Sequence, residues 1–534
     1  MSRPLIVLLL AAALLASACS QSAGGGQRED GPPRQGGTLT LGIATPPDCI
    51  DPQQVGLNAG LNVGRQLVDS LTDQDPETGE ITPWLAERWE VGDDARSFTF
   101  HLREGATFSD GSPVDAAAVK ASFDGIKELG PSALVASGYL AEYTGTTVAG
   151  EYTARVEFAE PSAQFLQATS TMSLGLLAPS AYEATPEQRC HGDGLIGSGP
   201  FVFESFTQNQ EIVIGKRRGY TWGSSLWERE GEAYLDKVIY RIVPEPGVRT
   251  GSLVSGQLDA ITDVQPVDEA RFEGGGFIGS VRSNPGIVFN LHANTARGVL
   301  AEENVRKAVQ KAVNRKEVSD TVLSPNYKPA SSILAASTPL HTDLSAELTH
   351  DPDGASALLA AAGWVEGPDG IRVRNGERLS ASVIFSSAFN QSQSVLELVQ
   401  QQLKAIGFEL RVEPHPTPEV TDRQQRGDYE FLWYNVTRAD PDILRNTFST
   451  GAGDRSKLEP GNPLDVALDK QAASTDAAVR APAAAEAQRL IVEHAYAIPV
   501  FELSQVIALG PTAHDIAFEA SSRLRLSGAW VSPS

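Results

Sequence analysis

The stretch Val395-Leu-Glu-Leu-Val-Gln-Gln-Gln-Leu-Lys-Ala-Ile-Gly-Phe-Glu-Leu-Arg-Val412 changes period in the middle. Val395, Leu398, Val399, Leu403 and Ile406 recur at helical spacing, and Gly407 stops the run. Phe408, Leu410 and Val412 then alternate as a strand does. A helix running straight into a strand is the unit of a sheet flanked by helices. Upstream, Asp351-Pro352 places a cap before a proline at the first helical position, Ala355, Leu358, Leu359 and Ala362 form a stripe, and Gly363 ends it. Downstream, Asp428 to Tyr434 reads as another strand. The first half uses the same grammar. Ser97 to Leu102 alternates, and Asp115 caps a helix with Val119, Phe123 and Ile126 on one face. Val238 to Val243 is a strand expected to be covered on both faces, followed by a short helix with Leu253 and Val254 inside and a strand from Leu258 to Ile261. The fold class is α/β.

At 534 residues, the chain exceeds what one hydrophobic core supports. Lys plus Arg number 43 and Asp plus Glu 67, for a net charge of −24, which argues against a general nucleic-acid binder. Met1 to Arg3 supplies one positive charge, and Leu5 to Ala16 is apolar but too short to span a bilayer, so residues 1–18 read as a signal peptide. Leu-Ala-Ser-Ala-Cys19 resembles a lipobox, making Cys19 the expected lipidated terminus, and residues 19–36 have the composition of a flexible tether. Plain cleavage after Ala18 is the competing reading. Cys49 and Cys190 remain as an even pair for one disulfide in an oxidising compartment, with two separate buried thiols as the alternative.

Catalytic motifs are missing: there is no GxSxG, SxxK, HExxH, CxxC or GxxxxGK[ST]. The two GxGxxG matches, at Gly192 and Gly274, lead into no helix and read as loops. No two of the eight histidines lie four residues apart, so neither a metal site nor a cofactor is expected.

Beyond these local readings, the order of segments resembles the family 5 extracellular solute-binding proteins, receptors of peptide and nickel ABC importers. The likeness rests on Val68-Asp-Ser-Leu71, Asp75-Pro-Glu-Thr-Gly-Glu80, Trp84-Leu-Ala-Glu-Arg-Trp89, Phe98-Thr-Phe-His-Leu-Arg103 and Phe108-Ser-Asp-Gly-Ser-Pro113. It continues through Gly197-Ser-Gly-Pro-Phe201, Ser255-Gly-Gln-Leu-Asp259, Asn304-Val-Arg-Lys-Ala308, Ala312-Val-Asn-Arg315, Leu358 to Trp364 and Gln402 to Gly407. The resemblance implies a two-lobed periplasmic-binding-protein type II fold with an extra subdomain. Lobe I would take residues 37–72, 193–282 and 500–534, the subdomain 73–192, and lobe II 283–499. It further implies a monomeric, non-enzymatic receptor, anchored on the extracytoplasmic face of the membrane. Such a receptor captures an oligopeptide or peptide-like solute and passes it to an ABC permease and ATPase. A nickel chelate, opine or short sugar in the same fold, a secreted α/β hydrolase and a surface sensor are the rival readings.

In that family, one cleft wall comes from the segment reading Trp433-Tyr434-Asn435-Val-Thr437-Arg438-Ala-Asp440-Pro-Asp442 here. Peptide receptors commonly carry an aspartate three residues before the acidic residue of the Asp/Glu-Pro pair. That position is Thr437, and Arg438 follows it, which points away from an ammonium and toward a carboxylate. Trp433 and Tyr434 point to opposite sheet faces, so at most one is expected in the cleft. Asn58 lies where the family lines the opposite wall, and Asp440-Pro441-Asp442 is expected chiefly to shape the loop.

Overall fold

The computed structural model describes residues 31–386 and 389–533. The signal segment, Cys19 and most of the tether lie outside the described residues.

Three sheets carry the architecture. A seven-stranded mixed sheet runs in the order Ile278–Ser283, Ser504–Leu509, Ala260–Ile261, Thr38–Ile43, Lys237–Ile242, Glu211–Lys216, Phe201–Thr207. Thr38–Ile43 pairs in parallel with both Lys237–Ile242 and Ala260–Ile261, and the other pairings are antiparallel. A five-stranded mixed sheet runs Glu409–Pro414, Ser380–Phe385, Phe431–Thr437, Gly286–Ala293, Ala497–Phe501. A four-stranded antiparallel sheet from Ala86–Val91, Ser97–Leu102, Thr153–Phe158 and Tyr143–Gly150 builds the subdomain, with helix Ala116–Leu129 packed on it. Asp115 caps that helix by accepting from the Ala118 amide, and Phe98, Phe123, Phe158 and Phe165 interlock edge to face beneath it.

The two large sheets are joined twice, each time by two residues. Ile278–Ser283 ends in one sheet and Gly286–Ala293 begins in the other, and Ala497–Phe501 hands back to Ser504–Leu509 in the same manner. The crossings are tied to each other: the Asn284 amide donates to the Leu503 carbonyl at 2.7 Å, and the Ser283 hydroxyl to Glu502 at 2.7 Å. Gly286 sits at φ +108°, where a Cβ would stand 2.2 Å from the Val436 carbonyl oxygen. Only glycine fits this junction.

Helix Ser392–Ala405 and strand Glu409–Pro414 occupy the stretch whose period changes, with Val395, Val399 and Leu403 buried. Other expectations are corrected. Strand Lys237–Ile242 buries Val238, Tyr240 and Ile242 but exposes Arg241, so one face is fully covered rather than both. Val254 is exposed beside buried Leu253, because adjacent helical residues diverge by about 100°. Two segments cross between the cores. Tyr220, Trp222 and Trp227 enter the subdomain core, whereas Met172, Leu177 and Ala181 enter that of the seven-stranded sheet.

Cys49 and Cys190 form a disulfide with their Cα atoms 4.2 Å apart. Beside it, buried Asp51 accepts from Arg189 at 2.9 Å and from the Gln53 amide. This joint lies at the root of the loop leading to helix Asn58–Leu67.

A second buried acid anchors the tryptophan-rich segment. Asp69 accepts from Tyr220 at 3.0 Å and Trp222 at 2.9 Å, drawing 217–227 toward the subdomain. Burial pushes its carboxyl up to about 7, against the pull of Arg65. A group raised in the folded state stabilises most below its unfolded value, and that contribution is lost as pH rises toward the folded one. Stability should therefore fall between pH 4 and 7 through Asp69, by roughly 4 kcal/mol at most. In urea titrations across that range, Asp69→Asn should lose this part of the slope, whatever it does to absolute stability.

Candidate functional site

Between the two large sheets and the subdomain lies a cavity of about 360 Å³. One wall is Gly56 to Leu61, at the start of helix Asn58–Leu67. The opposite wall is Asn435 to Ala439, where strand Phe431–Thr437 ends. The crossings supply Asn284 and Leu503, strand Ser504–Leu509 supplies Gln505, and the subdomain adds Val135 and Tyr139.

Arg438 is the charged centre of the second wall. It is nine-tenths buried, and its amide donates to the Pro285 carbonyl at the crossing, 3.0 Å away. Its guanidinium lies 4.2 Å above the Tyr139 ring, and Nη2 donates to the Val135 carbonyl at 3.1 Å. Buried Nη1 has no partner among the described residues. The side chain is thus held on two sides with a free donor. Gly138 makes the approach possible, since a Cβ there would stand 2.5 Å from Nη2.

On the facing wall, Arg523 donates to the Asn58 side-chain oxygen, and Asn58 Nδ2 donates to Gln505 at 2.7 Å. Burial pushes the Arg523 guanidinium down to about 10. The nearby Glu519 carboxyl, itself raised by burial, is not among the lining residues. Thr437 accepts from Asn284 Nδ2 at 2.9 Å, leaving Asn284 Oδ1 as a buried acceptor without a partner among the described residues. Two arginines and no Asp or Glu line this cavity among the described residues, although the chain carries −24 overall. Its chemistry suits an oxyanion joined to a body with apolar parts, met by Leu57, Leu61, Met172 and Leu503.

Four of the expected site residues line the cavity: Asn58, Asn435, Thr437 and Arg438. Asn58 spends its side-chain amide on Arg523 and Gln505, so it positions an arginine. Three expected residues lie elsewhere. Trp433 is buried in the core of the five-stranded sheet, stacked on Phe289 and donating to Ser392 at 3.1 Å. Tyr434, on the other face, packs with Tyr429 and Leu432 under the Arg455 guanidinium. Neither aromatic lines the cavity, because the alternation that separates them points both into packed layers. Asp440 accepts from Arg480 at 2.5 Å and from the Asp442 amide at 2.8 Å, which makes it a buried anchor of the turn. Tyr139 and Arg523 are functional candidates that motif reading missed, since they lie in segments with no recognisable pattern. Among the described residues, no cluster of His, Cys, Asp or Glu is placed to hold a metal ion.

Comparison with known proteins agrees with this architecture. The family model described as bacterial extracellular solute-binding proteins, family 5 Middle, matches residues 80–456. The nickel-binding periplasmic protein of Escherichia coli K12 is 27% identical over 370 residues, covering 67% of this chain and 68% of that protein. The periplasmic murein peptide-binding protein MppA of the same organism is 24% identical, covering 87% of each chain. The crystal structure of NikA from Brucella suis in complex with Fe(III)-EDTA superposes with a TM-score of 0.80 at 24% identity, over 93% of this chain and 100% of that one.

Arg438 also latches onto the subdomain, through the Tyr139 ring and the Val135 carbonyl. A double-mutant cycle with Arg438→Met and Tyr139→Leu should give a coupling energy of about 1 kcal/mol in the unliganded protein. Additive effects on thermal stability would remove the contact.

Proposed function

Because the chain belongs to the bacterial extracellular solute-binding proteins of family 5, we propose that it is the receptor subunit of an ABC importer. It captures an oligopeptide or peptide-like solute with a free carboxylate between its lobes and delivers it intact to a membrane permease and its ATPase. The two-point crossing supports the mechanism: two short, mutually bonded links allow the sheets to rotate about one axis while each stays rigid. The observation that carries the solute class is Arg438, buried and pre-positioned with Nη1 unpartnered, in the wall of a cavity that no carboxylate lines among the described residues. Thr437 stands where family peptide receptors commonly hold an aspartate, so a free α-ammonium finds no countercharge at that position. The same feature favours a second reading, a carboxylated non-peptide such as an opine or a metal chelate.

Mass spectrometry of solute carried through purification separates these readings. For the first, acetylated peptides with a free carboxyl end should raise the melting temperature, and their amidated counterparts should not. Arg438→Ala should weaken binding of the acids about 10- to 100-fold in calorimetry, the scale of a lost charge-assisted bond. Equal affinity in the variant would exclude Arg438 as the anion's partner. Unchanged peptide mass after long incubation would match a receptor, and cleavage a hydrolase.

We further infer that Cys19 carries the lipid that holds the receptor on the extracytoplasmic membrane face. This is supported by the apolar run Leu5 to Ala16 and the small residues before the cysteine. No helix among the described residues is long and apolar enough to cross a membrane. Cys19→Ala should move the protein from the membrane to the soluble fraction and abolish labelling by a fatty-acid analogue. Membrane retention without label would rule the anchor out.

A further inference from the structure

On the other side of Arg438 from the interlobe cavity lies a second chamber of about 490 Å³, and the two share Tyr139, Val436 and Arg438 as common wall. This annex lies between the subdomain and lobe II. Leu134 to Glu142 and Pro161 to Gln164 form one side, and helix Ile443–Phe448 with the loop to Arg455 forms the other. Its polar groups are unusual. Among the described residues, Arg438 Nη1, Arg455 Nη1, Thr447 Oγ1 and Gln164 Oε1 are all buried without a hydrogen-bond partner, and all four residues line this one chamber. Thr447 is 1% exposed and Gln164 2%. Each such group costs about 1–3 kcal/mol if nothing meets it, so concentrating them in one place points to a ligand that does.

The charge balance names the ligand's chemistry. Arg445, also in the wall, is neutralised by a bidentate pair with Asp442 at 2.8 and 2.9 Å. Arg438 and Arg455 have no carboxylate within ion-pair distance among the described residues, and Arg455 is instead braced 4.7 Å over the Tyr434 ring. Among the described residues, Glu142 is the single acid in the lining. Two guanidiniums without a countercharge and an unpartnered hydroxyl thus line one chamber, a set that fits the oxygens of a carboxylate.

We infer that the annex receives a second acidic group of the captured solute, at Arg455 and Thr447, while the body passes Arg438 into the interlobe cavity. The solute class is then an elongated, peptide-like dicarboxylate. This rests on the reading that Arg438 engages one carboxylate, and adds the place of the other.

The test uses the full chain and two probe series, the α,ω-dicarboxylates from succinate to suberate and the monocarboxylates of equal length. One length of dicarboxylate should bind at least about tenfold tighter than its monocarboxylate, by calorimetry and by melting temperature. Arg455→Gln and, separately, Thr447→Val should reduce that advantage. Arg489→Gln, which alters an exposed pair with Glu486, should leave it intact. Dicarboxylates no better than monocarboxylates at every length, or an advantage unchanged in Arg455→Gln, would overturn the annex assignment while leaving the Arg438 reading in place. If neither series binds, the annex assignment falls, and the acetylated peptides decide the Arg438 reading separately.

Discussion

Everything in this molecule turns on the pair of two-residue crossings. The bond from the Asn284 amide to the Leu503 carbonyl makes two separate chain passages behave as one ribbon. Gly286 lets the ribbon leave one sheet and enter the other without colliding with Val436. The cavity is assembled from what radiates out of this point. Asn284 holds Thr437, Pro285 holds the Arg438 backbone, and Gln505 holds Asn58. Rotation at the crossing would therefore carry both walls as units, which is what a closing receptor requires.

Charge gives the site its character against the background of the chain. An overall −24 sets up a field that repels acidic solutes at a distance, screened beyond about 8 Å at physiological ionic strength. Within the cavity, Arg438 and Arg523 reverse that sign locally. Neither is loose. One rests on Tyr139 and a carbonyl, the other on Asn58, so the entropy of fixing each side chain is spent during folding rather than at capture.

Much of the fold was legible because period and punctuation are local. The switch at Gly407 and the caps at Asp115 and Asp351 need no knowledge of distant residues, and each appears in the structure as read. Burial was harder. Val254 and Arg241 were misplaced because an apolar or mixed run does not reveal which face its neighbours cover. The site was half legible. Arg438 stood out against the pattern of similar receptors, whereas Tyr139 and Arg523 come from segments far away in sequence and meet it only through the tertiary fold. Trp433 and Tyr434 show the limit of alternation: it separates two faces without saying that both are packed.

The segment carrying the four-stranded sheet departs after Leu71 and returns beside its own point of departure, where the Gly199 amide donates to the Leu67 carbonyl, the Asp69 amide donates to the Ser198 hydroxyl, and the Cys49–Cys190 bridge secures the base. Topologically it is a cassette on a stapled stem. Its inner edge supplies one side of the annex. Because that edge also grips Arg438, whose backbone is bonded to Pro285, and because Arg282 reaches the Pro76 carbonyl, a shift of the cassette would be felt at the crossings.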